Sequence, residues 1–63
     1  MIFTLKQARR YANQTQRDMA EKLGISRDAY MRLEKNPDKV TVRQAKIISQ
    51  ITGIPYDSIF FAS

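Results

Sequence analysis

Thr15-Gln16-Arg17-Asp18-Met19-Ala20-Glu21-Lys22-Leu23-Gly24-Ile25-Ser26-Arg27-Asp28-Ala29-Tyr30-Met31-Arg32-Leu33-Glu34 is the stretch whose reading decides the fold. Thr15 can cap a helix through its hydroxyl, and Asp18 places a carboxylate in the first turn, where the positive end of the helix dipole favours it. Met19, Ala20 and Leu23 follow at i, i+1 and i+4 and mark one buried side. Gly24 can take the left-handed backbone that ends a helix, Ile25 turns back inward, and Ser26 is the next cap. From Arg27 a second helix puts Tyr30 and Leu33 inward and leaves Arg27, Asp28, Met31 and Arg32 on its surface. The centre of the chain is therefore two short helices joined by a tight turn.

Outward from this unit the same local rules repeat. Thr4-Leu5-Lys6-Gln7 fits a capping box and opens a first helix, with Leu5, Ala8 and Ala12 as a thin inward stripe and Lys6, Arg10 and Asn13 outside it. Asn36-Pro37 closes the helix that began at Arg27, because a residue before proline is pushed away from helical geometry. Thr41-Val42-Arg43-Gln44 is another capping box; Ala45, Ile48, Ser49 and Thr52 follow at i, i+3, i+4 and i+7, with Ile47 and Ile51 widening the apolar arc up to Gly53. Ile54-Pro55 leads into a last helical turn from about Tyr56 to Phe60, proline standing near its first position. Period-two alternation is sustained nowhere. The expectation is an all-α protein, a compact bundle of about five short helices forming a single domain over residues 1–63.

Composition narrows the chemistry. A chain of 63 residues is too short for two domains. Eleven Lys and Arg against six Asp and Glu give a net charge of +5, which favours a polyanionic partner. With neither Cys nor His in the sequence, disulfides, thiolate catalysis and Cys-ligated zinc are excluded, and the usual proton shuttle is missing. No carboxylate stands with a nucleophile or partner at a spacing that suggests acid-base work. No enzyme activity, metal, cofactor or small-molecule ligand is expected. Apolar stretches such as Ile59-Phe60-Phe61-Ala62 fall far short of the roughly 20 residues of a membrane span, and the N-terminus lacks the apolar core of a signal peptide, so a soluble cytoplasmic chain is expected.

Two helices around Gly24 form a helix-turn-helix, a unit whose second helix can enter the major groove of DNA. Arg27 and Arg32 lie on the exposed arc of that helix, and an Arg fork matches the O6 and N7 acceptors of guanine. The pattern Thr15-Gln16-x-x-Met19-Ala20-x-x-Leu23-Gly24-Ile25-Ser26-Arg27, followed by Leu33-Glu34, resembles helix-turn-helix regulators of the lambda-repressor and Cro type. Leu5-Lys6-x-x-Arg9 resembles the first helix of that family. Gly53-Ile54-Pro55-Tyr56-Asp57-x-Ile59-Phe60-Phe61 resembles its closing turn, especially in small regulators of phages and prophages.

The resemblance implies a role for each matching position. Arg27, Asp28 and Arg32 fall on the positions that read base edges, Asp28 either accepting from a cytosine amino group or fixing Arg27 or Arg32 in a set pose. Gln16 becomes a phosphate clamp at the start of its helix, with Ser26, Lys35 and Asn36 also on phosphates. A buried pair between Arg9 and Glu34 ties the first helix to the end of the third. Three positions depart from the family pattern: Asn13-Gln14 replaces Gly and an apolar residue, Asn36-Pro37 replaces Asn-Gly, and Pro55 replaces a Ser cap. Asn13 tolerates left-handed backbone. Pro37 has no amide to offer a phosphate, and Lys39 substitutes for it by charge.

The resemblance thus implies a sequence-specific regulator that binds double-stranded DNA at a two-fold symmetric operator and acts by occupancy. With no sensor domain expected, concentration and operator arrangement would set its activity. Ile51, Ile54, Phe60 and Phe61 are more apolar surface than one end of a small core needs. Ile54, Phe60 and Phe61 are therefore expected at the contact of a homodimer completed on DNA. Two alternatives stand beside this: a helical protein-interaction module docking through Ile51, Ile54, Phe60 and Phe61, and an antitoxin or restriction-control role on the same fold.

Overall fold

A computed structural model of the chain describes residues 3–60. Four helices run in order: α1 (Leu5–Tyr11), α2 (Gln16–Leu23), α3 (Arg27–Lys35) and α4 (Val42–Thr52), with single 3-10 turns at Pro37–Lys39 and Tyr56–Ser58. Three of the helices open with reciprocal capping boxes. The Thr4 hydroxyl accepts from the Gln7 amide at 3.0 Å while the Gln7 side chain accepts from the Thr4 amide at 2.9 Å, and the Thr15/Asp18 and Thr41/Gln44 pairs repeat the arrangement. Ser26 caps α3 alone, its hydroxyl accepting from the Ala29 amide at 3.1 Å.

The turn that aims α3 rests on Gly24, at φ 69 and ψ 30. Its amide donates to the Glu21 carbonyl and the Ile25 amide to the Ala20 carbonyl, the paired bonds of a Schellman motif. Beyond the adjoining residues no atom lies within 4 Å of where a Cβ on Gly24 would sit, so backbone conformation and not space calls for glycine there. The same bond pattern closes α1, with Asn13 at φ 56, donating to Arg10, and Gln14 donating to Arg9. Asn13 thus does what glycine does in the family pattern, as its short polar side chain allows.

Leu5, Met19, Ala20, Tyr30, Leu33 and Ile48 form the core, drawn from all four helices, and Leu23, Ile25, Val40, Ile51, Ile59 and Phe60 pack against it. Thr52 can be buried because its hydroxyl is paired, donating to the Ile48 carbonyl at 2.9 Å and accepting from the Ile54 amide at 3.2 Å. Phe3 donates its amide to the Ser58 carbonyl, pinning the two ends of the described chain together.

The architecture differs from expectation in three places. Among the described residues there are four α-helices and not about five, because the last turn is a three-residue 3-10 turn with Pro55 as its cap. Of the expected inward stripe of α1, Leu5 and Ala8 are buried, with Arg9 beside them as the expected ion pair requires, while Ala12 lies beyond the helix and is half-buried. Ile54 is only 5% exposed and belongs to the interior, which removes it from the expected dimer contact and from the alternative docking surface.

Candidate nucleic-acid interface

Helix α3 has one obligation to the core, met by Tyr30 and Leu33. At 100° per residue those two side chains leave the opposite arc to Arg27, Asp28, Met31, Arg32 and Lys35. Arg27, Asp28, Arg32 and Lys35 are exposed, and Met31 is half-buried. No ion pair joins Asp28 to Arg27 or Arg32 among the described residues, so the Asp28 carboxylate does not set either guanidinium in the free protein. Nine residues at about 1.5 Å each make α3 about 13 Å long, close to the roughly 12 Å width of the major groove. Ser26 stands at the N-terminal end of α3, and Lys35, Asn36 and Lys39 lie at or beyond its C-terminal end.

The candidate phosphate contacts are in different states of readiness. The Ser26 oxygen is engaged by the Ala29 amide, which leaves its hydroxyl proton free to donate. Lys35 and Lys39 are exposed cations, Lys39 on the 3-10 turn that follows Pro37. The Asn36 side chain leans on the Arg32 carbonyl at 3.4 Å, a long bond that a phosphate can displace. Gln16 is held from behind, where its Nε2 donates to Glu34 Oε1 at 3.1 Å. The second proton on that nitrogen remains available beside the amides of the first turn of α2.

Glu34 is the hub of this geometry. Arg9 Nε donates to its other oxygen at 2.7 Å, and Arg9 NH1 donates to the Gln14 carbonyl at 2.9 Å. The two side chains are 11% and 8% exposed, so the ion pair belongs to the interior. Burial alone would raise the Glu34 pKa, but the Arg9 guanidinium, with Tyr30 and Gln16 beside the carboxylate, outweighs it and holds the group below the usual carboxylate range. The Tyr30 hydroxyl is pushed well above the usual phenol range by its burial and by the Glu34 charge. It makes no well-formed hydrogen bond. One carboxylate thus fixes α1, the start of α2 and the end of α3 with respect to one another.

The family resemblance pairs Arg9 with Glu34, but nothing in the sequence points to the Gln16–Glu34 bond, which joins residues 18 apart and leaves no local trace. The resemblance also misses Gln14, whose carbonyl satisfies Arg9 and whose side-chain oxygen accepts from Lys22 Nζ at 2.8 Å. Of the expected dimer residues, Phe60 is half-buried against the core and Phe61 lies outside the described residues. A hollow of about 760 Å³ between α2 and α4 is lined by residues including Leu23, Arg43 and Ile47 and does not include the outer arc of α3. Among the described residues no helix is long and apolar enough to cross a membrane, and no group of acidic residues could hold a metal ion.

No curated protein and no solved structure matches the chain. A family model described as helix-turn-helix matches residues 5–59, from the first residue of α1 to beyond the final 3-10 turn. The α2–Gly24–α3 geometry and this match agree: the chain belongs to the helix-turn-helix family of the lambda-repressor and Cro type, whose members are DNA-binding transcription regulators.

Proposed function

We propose that this protein is a sequence-specific regulator of the Cro or repressor kind, which lays α3 in the major groove of a two-fold symmetric operator and binds it as a homodimer. The observation that carries the reading is the outer arc of α3, where Arg27, Asp28 and Arg32 stand exposed and unpaired on a helix whose other face is fixed in the core. Arg27 and Arg32 read guanine edges, and Asp28 accepts from a cytosine amino group. Gln16, Ser26, Lys35, Asn36 and Lys39 hold phosphates and set the register. A single domain of this size makes few contacts, and two copies one helical turn apart on the duplex supply the rest.

Selection of bound duplexes from a random pool, followed by titration in rising salt, tests the proposal. Two phosphate-bound lysines per subunit make four per dimer, which gives a slope of about −3.6 in log affinity against log salt. Affinity for the selected site should then fall by roughly two orders of magnitude between about 50 and 200 mM salt. Recovery of no preferred sequence, or an affinity indifferent to salt, would refute the proposal and favour an apolar protein-docking role.

A further inference from the structure

Met31 is a large apolar side chain that the core does not use. The half-buried side chains packed against the core are Leu23, Ile25, Val40, Ile51, Ile59 and Phe60, and Met31 is not among them. It stands instead on the outer arc of α3, one turn beyond Arg27 and next to Arg32. There it lines a shallow notch of about 200 Å³ with Asp28, Arg32 and Lys35. Every other lining side chain is charged. An unbranched thioether in the middle of a charged, groove-facing surface gains nothing from water and packs readily against an irregular apolar feature. The major groove offers one such feature on a natural base, the C5-methyl group of thymine.

We infer that Met31 is a specificity-determining residue, its side chain closing on a thymine methyl at a base pair next to those read by Arg27 and Arg32. The inference rests on the reading of α3 as the groove-entering helix and adds to it an apolar contact that hydrogen-bond matching cannot supply. The notch gives the methyl a place: Asp28 and Lys35 flank it, and Met31 forms an apolar part of its wall. A half-site should therefore contain a thymine whose methyl, and not only its O4, contributes to affinity.

Deoxyuridine isolates this contact, since replacing dT with dU removes the methyl and leaves every hydrogen-bonding group of the base pair in place. Each thymine of the selected half-site is replaced in turn, and binding is measured for the parent protein, Met31→Ala and Met31→Leu. One replacement should weaken the parent about four-fold, the value of one buried methyl. Met31→Ala should bind the dT and dU sites equally, Met31→Leu should keep most of the discrimination, and Arg27→Ala should keep all of it. Met31 lies outside the core and Ala is a strong helix former, so an unchanged melting temperature checks that Met31→Ala folds. A half-site without thymine, a parent indifferent to every replacement, or a Met31→Ala protein that still discriminates would overturn the inference while leaving the regulator reading intact. Failure to select any duplex would overturn both.

Discussion

Arg9→Met removes the cation from a carboxylate that is 8% exposed, and the size of the effect separates a buried pair from a decorative one. Exposed ion pairs contribute about 0 to 1 kcal/mol, whereas breaking a buried pair by deleting one partner costs about 3 to 5 kcal/mol, because the remaining charge is stranded. Glu34 would keep the Gln16 amide and the neighbouring Tyr30 hydroxyl but no cation, and the Gln14 carbonyl would lose its donor. A domain of 63 residues has about 3 to 9 kcal/mol of total stability, so the loss is a large share of the whole. In urea, with a slope of roughly 1 kcal/mol/M for the smallest domains, the midpoint should fall by about 3 M or the folded baseline should vanish.

The pH dependence supplies a second readout with opposite signs in parent and variant. In the parent the folded pKa of Glu34 is depressed, so its contribution is present above the unfolded value of about 4.3 and is lost as pH falls through the folded pKa. In Arg9→Met, burial without a cation raises the folded pKa. The destabilisation is then largest at neutral pH and is relieved as pH falls through the raised value. The double variant Arg9→Met/Glu34→Met should recover to within about 1 kcal/mol of the parent or exceed it, since apolar replacement of a buried pair is often neutral or stabilising. A single variant that lost less than about 1 kcal/mol and kept the pH slope of the parent would refute the reasoning.

Arg27→Ala and Arg32→Ala should each weaken binding to the selected operator by about 1 to 3 kcal/mol and relax preference at one base pair, with helicity by circular dichroism unchanged. Gln16→Ala should lower affinity about equally on operator and unrelated DNA, and a loss confined to the operator would contradict its phosphate role. Tyr30→Phe removes a buried hydroxyl that makes no well-formed hydrogen bond but lies beside the Glu34 carboxylate and helps to keep it charged, so thermal melts should show a loss of no more than about 1 kcal/mol; a loss above about 2 kcal/mol would mean the hydroxyl is fully paired. Phe61→Ser should reduce cooperativity on a full operator and spare binding to an isolated half-site, as read by sedimentation and half-site titration.

Where a structural feature is encoded within four or five residues, it can be read from the sequence. The Thr4, Thr15, Ser26 and Thr41 caps, the Gly24 and Gly53 stops and the inward Tyr30 and Leu33 all follow from local spacing, and the structure realises each of them. Legibility ends at Gly53. Beyond it the periodicity that separates inward from outward positions no longer applies, and the direction of an apolar residue depends on the path of a turn. Ile54 goes inward there because the Ser49 hydroxyl takes its carbonyl at 2.7 Å and Thr52 takes its amide, two bonds that fold the residue back under α4. A count of apolar residues alone places it on the surface.

The candidate site divides along the same line, and the division bears on how its variants behave. The exposed arc is a property of one helix and can be read from the period of α3. What holds that arc in register is a property of three helices meeting at Glu34: Arg9 from α1, Gln16 from α2 and the carboxylate itself from α3. Gln16, the proposed phosphate contact, and Arg27, the proposed base contact, are therefore held in one frame by Glu34, which binds Gln16 directly and itself has no part in the proposed contacts with DNA. Loss of Glu34 should act on binding twice, through the folded fraction and through a loosened angle between α2 and α3. Affinity corrected for the folded fraction would expose the second effect, because a protein with a slack α2–α3 angle can satisfy phosphates or bases but not both at once.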